Sequence, residues 1–191
     1  MDSVIYKNKE YQIRKEKLII SSQGLKSIKE VKNLGHFKNL KELYLYNNKI
    51  SRIEGLEEFQ ELEKLNLYGN NIKKINGLSN LKKLKTLFLS NNKIKQITGL
   101  RKLNNLKNLS LEENDITEIK SLERLVNLEQ LNLFDNQIQM VSGLQSLTKL
   151  VKLRIGKNPI PRELLKKCGG IDEKGYANKP QEFVKYCKEK K

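Results

Sequence analysis

Leucine recurs at a fixed interval of 22 residues along most of this chain, and this period limits the possible folds more than any other feature. From each recurring leucine the pattern L-x-x-L-x-L-x-x-N-x-I follows, with isoleucine replacing the third leucine in the last copy. The copies begin at Leu40, Leu62, Leu84, Leu106, Leu128 and Leu150. A degenerate copy precedes them at Leu18, so the sequence predicts seven repeats over residues 18–160. Such a period predicts a solenoid, because one unit is too small to bury its own apolar face.

Each unit contains two different local periods. In the copy "LKELYLYNNKI", Leu43 and Leu45 alternate with other residues, which predicts a short strand with one buried face. A period of three follows at Ile50, Ile53, Leu56 and Phe59. This spacing favours 3₁₀-like turns, in which residues three apart lie above one another. Each unit is therefore expected to be one strand followed by tight turns.

An asparagine occupies the same place in every full copy: Asn48, Asn70, Asn92, Asn114, Asn136 and Asn158. Its side chain carries both a hydrogen-bond donor and an acceptor, so it can pair with backbone groups of its own turn and of the neighbouring turn. We interpret the six asparagines as a structural ladder rather than as ligand-binding residues.

These residues resemble the 22-residue class of the leucine-rich repeat family, typified by the regulatory subunit of protein phosphatase-1. The resemblance extends over roughly residues 16–165. It implies an α/β repeat solenoid, a right-handed horseshoe with a parallel β-sheet on its concave face and 3₁₀ or short helical turns on its convex face. It also implies binding of a protein partner, and phosphatase regulation is one form of that role in the family.

A solenoid needs a cover at each end. In residues 1–17, "VIYKNKEYQI" predicts two short strands around a Lys-Asn-Lys turn, a β-hairpin cap. In residues 161–191 we predict a helical cap, with one helix from Pro161 to Gly169-Gly170 and another that begins at Pro180. We expect Cys168 and Cys187 to pack inside this cap as reduced thiols.

The sequence contains no pattern typical of a catalytic or metal site. Its single histidine is His36, and the motifs G-x-x-x-x-G-K-[ST], G-x-G-x-x-G and H-E-x-x-H are absent. We therefore predict that the protein is not an enzyme and uses no metal and no cofactor. The chain also has no long apolar run and no signal-peptide core at its start. We expect a cytoplasmic (or, in a eukaryote, nuclear) monomer without a membrane partner.

The residues between and just after the strand leucines are expected to line the concave face. The first repeats place aromatic residues there, at Tyr44, Tyr46, Tyr68 and Phe88. The later repeats place an acidic patch with one aromatic, and then a cation, at Glu112, Glu113, Phe134, Asp135 and Arg154. Clustered exposed aromatics indicate an interface, although cross-strand stabilisation of the sheet is the alternative explanation. The leading hypothesis is a scaffold that binds a partner protein through the aromatics and attracts a basic segment through the carboxylates.

The net charge of +16 raises a second hypothesis. Residues 73–107 contain ten basic and no acidic residues, namely Lys73, Lys74, Lys82, Lys83, Lys85, Lys93, Lys95, Arg101, Lys102 and Lys107. These positions lie on the turns and the convex side. A basic surface is typical of nucleic-acid or ribonucleoprotein binding. The favoured explanation is a solvated exterior that keeps the solenoid soluble.

Overall fold

The computed structural model describes residues 2–190, so Met1 and Lys191, the outermost residues of the two predicted caps, lie outside the described part. Near the N-terminus, β1 (Ser3–Tyr6) and β2 (Lys9–Gln12) pair as an antiparallel hairpin. Between them, Lys7 and Asn8 have φ angles of 49° and 60°. Positive φ at both central residues is the two-residue turn whose twist matches the strands.

The centre of the molecule is a parallel sheet of seven three-residue strands. They are β3 (Lys17–Ile19), β4 (Glu42–Tyr44), β5 (Lys64–Asn66), β6 (Thr86–Phe88), β7 (Asn108–Ser110), β8 (Gln130–Asn132) and β9 (Lys152–Arg154). Each strand pairs with its neighbours along the chain, and the middle leucines are aligned across the sheet. The predicted repeat solenoid with a parallel sheet is therefore confirmed.

Tight turns return the chain from one strand to the next. Regular 3₁₀ helices occur at Ile28–Glu30 and Leu34–His36. In later repeats the same i to i+3 hydrogen bond recurs as isolated turns; for example, the Leu84 N–H donates to the Leu81 carbonyl at 3.0 Å. The apolar residues of this period are buried, as at Leu78, Leu81 and Leu84. The period of three thus predicted the turn geometry correctly, because it brings every third side chain into the core.

The asparagines form the expected ladder through the solenoid. Asn92 accepts a hydrogen bond from the Ile72 N–H of the preceding repeat at 2.9 Å. Its amide donates to the Leu67 and Leu89 carbonyls, both at 3.0 Å. The other five asparagines of the series bond in the same way. Each asparagine therefore joins two repeats by pairing backbone groups that the turn leaves unpaired.

A recurring glycine is a second structural signal, which the leucine pattern did not include. Gly77 and Gly99 have φ angles of 67° and 69°, and a Cβ on either would collide with a backbone carbonyl oxygen of the preceding repeat. At the equivalent place in the fifth repeat, Ser121 adopts a φ of 63°. The backbone conformation is thus common to the repeats, whereas glycine is not obligatory.

At the C-terminal end, α1 (Arg162–Lys167) and α2 (Pro180–Glu189) pack over the last repeat. Phe183, Cys168 and Cys187 are buried against it. Between the helices, the chain returns beside β9, where the Ala177 N–H donates to the Leu153 carbonyl at 2.8 Å. This pairing covers the exposed edge of the sheet, which would otherwise be open to further strands.

Candidate partner-binding face

The concave face consists of three parallel rows of side chains, because the strands are in register. The first row is Lys17, Glu42, Lys64, Thr86, Asn108, Gln130 and Lys152. The second row is Ile19, Tyr44, Asn66, Phe88, Ser110, Asn132 and Arg154. The third row, two residues further along each repeat, is Ser21, Tyr46, Tyr68, Ser90, Glu112, Phe134 and Gly156.

A corner row follows the third row, and there the backbone leaves the sheet. Its members are Ser22, Asn47, Gly69, Asn91, Glu113, Asp135 and Lys157, and all have φ angles between 51° and 65°. The sequence placed Glu113 and Asp135 on the binding surface. The structure places them at this left-handed bend, on the rim of the concave face.

The aromatic residues of the first repeats lie among charged side chains. Tyr44 and Phe88 occupy the second row on either side of Asn66. The Lys64 ammonium lies over both rings, 5.3 Å from the centre of Tyr44 and 5.8 Å from that of Phe88. The adjacent third row holds Tyr46 and Tyr68, and Tyr68 is 40% exposed. The aromatic surface therefore has a cation at its centre.

In the predicted acidic patch, Glu112 forms an ion pair with a residue of the same face. The guanidinium of Arg154 donates to Glu112 at 2.7 Å, and the amide of Asn132 donates to the other Glu112 oxygen at 2.7 Å. Arg154 also stacks over the ring of Phe134, 3.7 Å from its centre. The expectation that Glu112 attracts a basic segment therefore needs correction, because its charge is already neutralised by a residue two repeats away.

The unpaired charges of the three rows are positive. Glu42 lies 3.9 Å from Lys17, and Glu112 pairs with Arg154. Within residues 2–190, Lys64 and Lys152 have no carboxylate within 4.0 Å. The concave face is therefore a cationic surface with aromatic residues, and its acidic groups are paired or lie on the rim.

A shallow pocket of about 180 Å³ opens at the C-terminal end of this face. Its two aromatic sides are Phe88 and Tyr176, and its cationic side includes Lys152. The sequence interpretation missed Tyr176, since it lies beyond the last leucine pattern. Tyr176 extends the second row through an antiparallel bridge to Arg154, so its place depends on the return of the cap and not on the 22-residue register.

The basic segment 73–107 does not form one continuous stripe. Lys83, Lys85 and Lys107 pair with Glu61, Glu63 and Glu129 at 2.6–2.9 Å. The other basic residues line separate depressions: one contains Lys73, Lys74, Lys93 and Lys95, and the other contains Lys82, Arg101 and Lys102. Among the residues that the structure describes, no aromatic side chain lines either depression.

Neither a metal cluster nor a membrane-spanning helix is present in the described part of the chain. Residues 2–190 contain no group of three or more His, Cys, Asp or Glu side chains placed to hold a metal ion. No helix among them is both long and apolar enough to cross a membrane.

Comparison with known families matches this repeat pattern. The family described as Leucine Rich repeats (2 copies) matches residues 60–102 and 104–146, and the family described as Leucine Rich Repeat matches residues 39–60. Together these matches include more than half of the 191-residue chain. The chain belongs to the leucine-rich repeat family. Nothing in these matches points to the phosphatase-regulatory class in particular.

Solved structures of other leucine-rich repeat proteins have the same fold. Internalin C2 of Listeria monocytogenes is 26% identical, with a TM-score of 0.60, over 76% of this chain and 73% of that protein. Internalin F of the same organism is 27% identical, with a TM-score of 0.65, over 76% of this chain and 48% of that protein. The TLR13–ssRNA13 complex matches at 30% identity and a TM-score of 0.53, over 59% of this chain and 19% of that one. A comparison with curated protein sequences gave no match.

Proposed function

We propose that this protein is a non-catalytic scaffold that binds a partner polypeptide across its concave face. The observation that carries the proposal is the cluster of aromatic side chains on the concave face of the sheet, which includes Tyr46, Tyr68 and Phe88. The fold does not require them, because the leucines on the opposite face already form the core. Aromatic residues clustered on an open surface are typical of the residues that contribute most to an interface.

The rigidity of the face also supports binding. The sheet is in register over seven strands, and an asparagine joins each repeat to the one before it. A surface that is already ordered loses little conformational entropy when a partner binds. Phe134, held by Arg154, is an additional contact at the far end of the face.

The double variant Tyr46→Ala/Phe88→Ala tests the proposal. Both residues are on the concave face, and removal of two aromatic anchors is expected to lower partner affinity at least about tenfold. The matched control is Val126→Ala/Met140→Ala, since these exposed apolar residues lie outside the concave rows. Affinity purification from the native cell, with quantitative mass spectrometry, measures the loss. If both variants retain the same partners, the concave face is not the binding site.

Photo-crosslinking locates the contact independently of affinity. A crosslinking amino acid replaces Tyr68 on the concave face in one sample and Val126 outside it in the other. Their exposures are similar, 40% and 47%, so accessibility does not favour either site. The proposal expects a covalent partner adduct from position 68 alone. An adduct from position 126 alone would show that the partner binds outside the concave face.

Regulation of a protein phosphatase is the finer form of this proposal, and it comes from the resemblance to the 22-residue class. Titration of the catalytic subunit of protein phosphatase-1 with the purified protein tests it directly. Binding that Tyr46→Ala/Phe88→Ala abolishes would support this role, and absence of binding would leave only the general scaffold.

Nucleic-acid binding is a second candidate, and the depression lined by Lys73, Lys74, Lys93 and Lys95 favours it. The TLR13–ssRNA13 complex is a leucine-rich repeat structure that contains RNA, which is a property of that protein. Phosphate contacts release counterions, so affinity for mixed RNA would fall by orders of magnitude as salt rises. Retention on RNA that Lys73→Glu/Lys93→Glu removes would support this candidate, and no retention at low salt would exclude it.

A further inference from the structure

The pocket lined by Phe88 and Tyr176 is a shallow depression in the concave face. Its volume of about 180 Å³ is below that of a typical small-molecule site, about 300–1,000 Å³. It is therefore suited to one side chain of a bound polypeptide. Phe88 and Tyr176 lie four strand positions apart in the second row, so the apolar part of such a side chain would contact one of the two rings.

The polar groups of the pocket separate into those already bonded and those still available. Asn132 bonds Glu112 and the Phe134 N–H, and the Ser110 hydroxyl lies 2.8 Å from that of Ser90. Within the described residues, the Gln130 amide and the Lys152 ammonium have no protein hydrogen-bond partner. The available groups thus include an ammonium, a pure donor, and an amide that can also donate.

The nearby carboxylate does not offset this charge. Glu112 receives hydrogen bonds from both Arg154 and Asn132, so its oxygens face inward to the network. Lys152 itself lies 4.9 Å from the centre of the Tyr176 ring, which holds the ammonium at the edge of the pocket. A side chain that enters the pocket therefore meets uncompensated positive charge.

Lys64 repeats this arrangement on the aromatic end of the same row. Its ammonium lies over Tyr44 and Phe88 without a carboxylate within 4.0 Å in residues 2–190. Lys64 and Lys152 are on β5 and β9, four strand spacings or about 19 Å apart. An extended peptide covers that distance with about six residues.

We infer that the concave face recognises an acidic, extended segment of a partner protein, with one carboxylate side chain in the Phe88–Tyr176 pocket on Lys152 and a second on Lys64. This inference rests on the proposed scaffold function and names the chemistry of its partner. A carboxylate that reaches the Lys152 or Lys64 ammonium gains a charge-assisted hydrogen bond. A basic segment would instead meet like charge at both positions.

Synthetic peptides test the charge preference in place of the native partner. The probes are fluorescein-labelled peptides of about twelve residues, twice the distance between the two lysines, with alternating Tyr–Glu, Tyr–Lys or Tyr–Gln sequences. Fluorescence anisotropy is measured with the full chain at about 0.15 M salt, where distant charges are screened. The Glu peptide is expected to bind at least about tenfold more tightly than the Lys peptide.

Two double variants with the same change of charge locate the binding. Lys64→Glu/Lys152→Glu is expected to weaken binding of the Glu peptide by about tenfold or more. The control Lys82→Glu/Lys102→Glu changes the basic depression outside the sheet and is expected to weaken it less than about twofold. Equal loss in both variants, equal binding of the Glu and Lys peptides, or no binding of the Glu peptide would each overturn the inference.

The native partner separates this inference from the scaffold proposal. If Tyr46→Ala/Phe88→Ala loses the partner and Lys64→Glu/Lys152→Glu retains it, the scaffold proposal stands and the acidic-segment inference is wrong. If neither variant loses the partner, the scaffold proposal itself is wrong. Circular dichroism of each variant shows whether it is folded, so that loss of binding can be distinguished from loss of fold.

Discussion

The two halves of the concave sheet share one backbone and differ in surface chemistry. From β3 to β6 the second and third rows expose Tyr44, Tyr46, Tyr68 and Phe88. From β7 to β9 the same rows hold the small polar residues Ser110 and Asn132, the bonded Glu112–Arg154 pair, and one aromatic residue, Phe134, that is stacked against Arg154. The buried leucines and the asparagine ladder are equivalent in both halves. The repeat therefore maintains the scaffold, whereas the outward-facing positions are free to carry different functions.

The largest expected effect tests whether the ladder is the same in both halves. Asn92→Leu removes four hydrogen bonds: it leaves the Ile72 N–H unpaired, and the Leu67, Leu89 and Ser90 carbonyls each lose one of their two donors. We expect the free energy of unfolding to fall by about 3 kcal/mol or more. Asn136→Leu in the other half should cost a similar amount, measured by urea denaturation. Asn104→Leu, an exposed control, should change stability by less than about 0.5 kcal/mol. A normal unfolding midpoint for Asn92→Leu would contradict the ladder.

The next largest effect on stability is expected at the recurring glycine position, which includes Gly77 and Gly99. Gly99→Ala adds a Cβ that collides with the Ile75 carbonyl oxygen, at a φ of 69°. We expect destabilisation by about 2–3 kcal/mol in thermal unfolding. Gly35→Ala is the matched control, because its Cβ would meet nothing within 4 Å. Ser121→Gly should change stability by less than about 1 kcal/mol, since Ser121 already adopts the bend. A large loss of stability in Gly35→Ala and none in Gly99→Ala would contradict the collision predicted at Gly99.

The Glu112–Arg154 network distinguishes the second half from the first. Arg154→Ala removes the ion pair, the stacking on Phe134 and a bond to the Lys174 carbonyl. We expect it to reduce the free energy of unfolding by about 2 kcal/mol, measured by urea denaturation. Arg154→Lys should recover only part of the loss, since an ammonium lacks the planar stack. Full recovery of stability in Arg154→Lys would mean that the positive charge alone accounts for the stabilisation by Arg154.

The smallest effect is expected in the C-terminal cap, where Cys168 and Cys187 are buried. Burial, and then the nearby Cys187 thiol, raises the pKa of Cys168 from 9.0 to about 11. The folded state therefore holds this proton more tightly than the unfolded state does, and stability falls as pH rises from about 9 towards about 11.

Unfolding at pH 8 and pH 10 tests this cap, with Cys168→Ala as the comparison. The stability advantage of the native protein over Cys168→Ala should shrink at the higher pH, because only the native protein contains this thiol. The buried thiols should also resist alkylation until the protein unfolds. An advantage that is independent of pH would contradict the raised pKa.

Residue pattern alone predicted the scaffold, and burial explains why. A leucine such as Leu87 must be apolar in every repeat because it is fully buried, and Asn92 must pair the same backbone groups in each turn. These requirements recur every 22 residues, so they are visible as a period. The row positions of Tyr44 and Phe88 followed directly from that register.

The chemistry of the site depended on contacts between repeats that have no period. Glu112 and Arg154 are 42 residues apart, and their pairing depends on the reach and orientation of two side chains across the sheet. Tyr176 joins the second row only because the cap returns beside β9. The sequence by itself determined the solenoid, its register and the order of its rows, since burial repeats in every unit. Only the tertiary structure decided which charges are neutralised and where the pocket lies, because these depend on the distance and orientation between side chains of different strands.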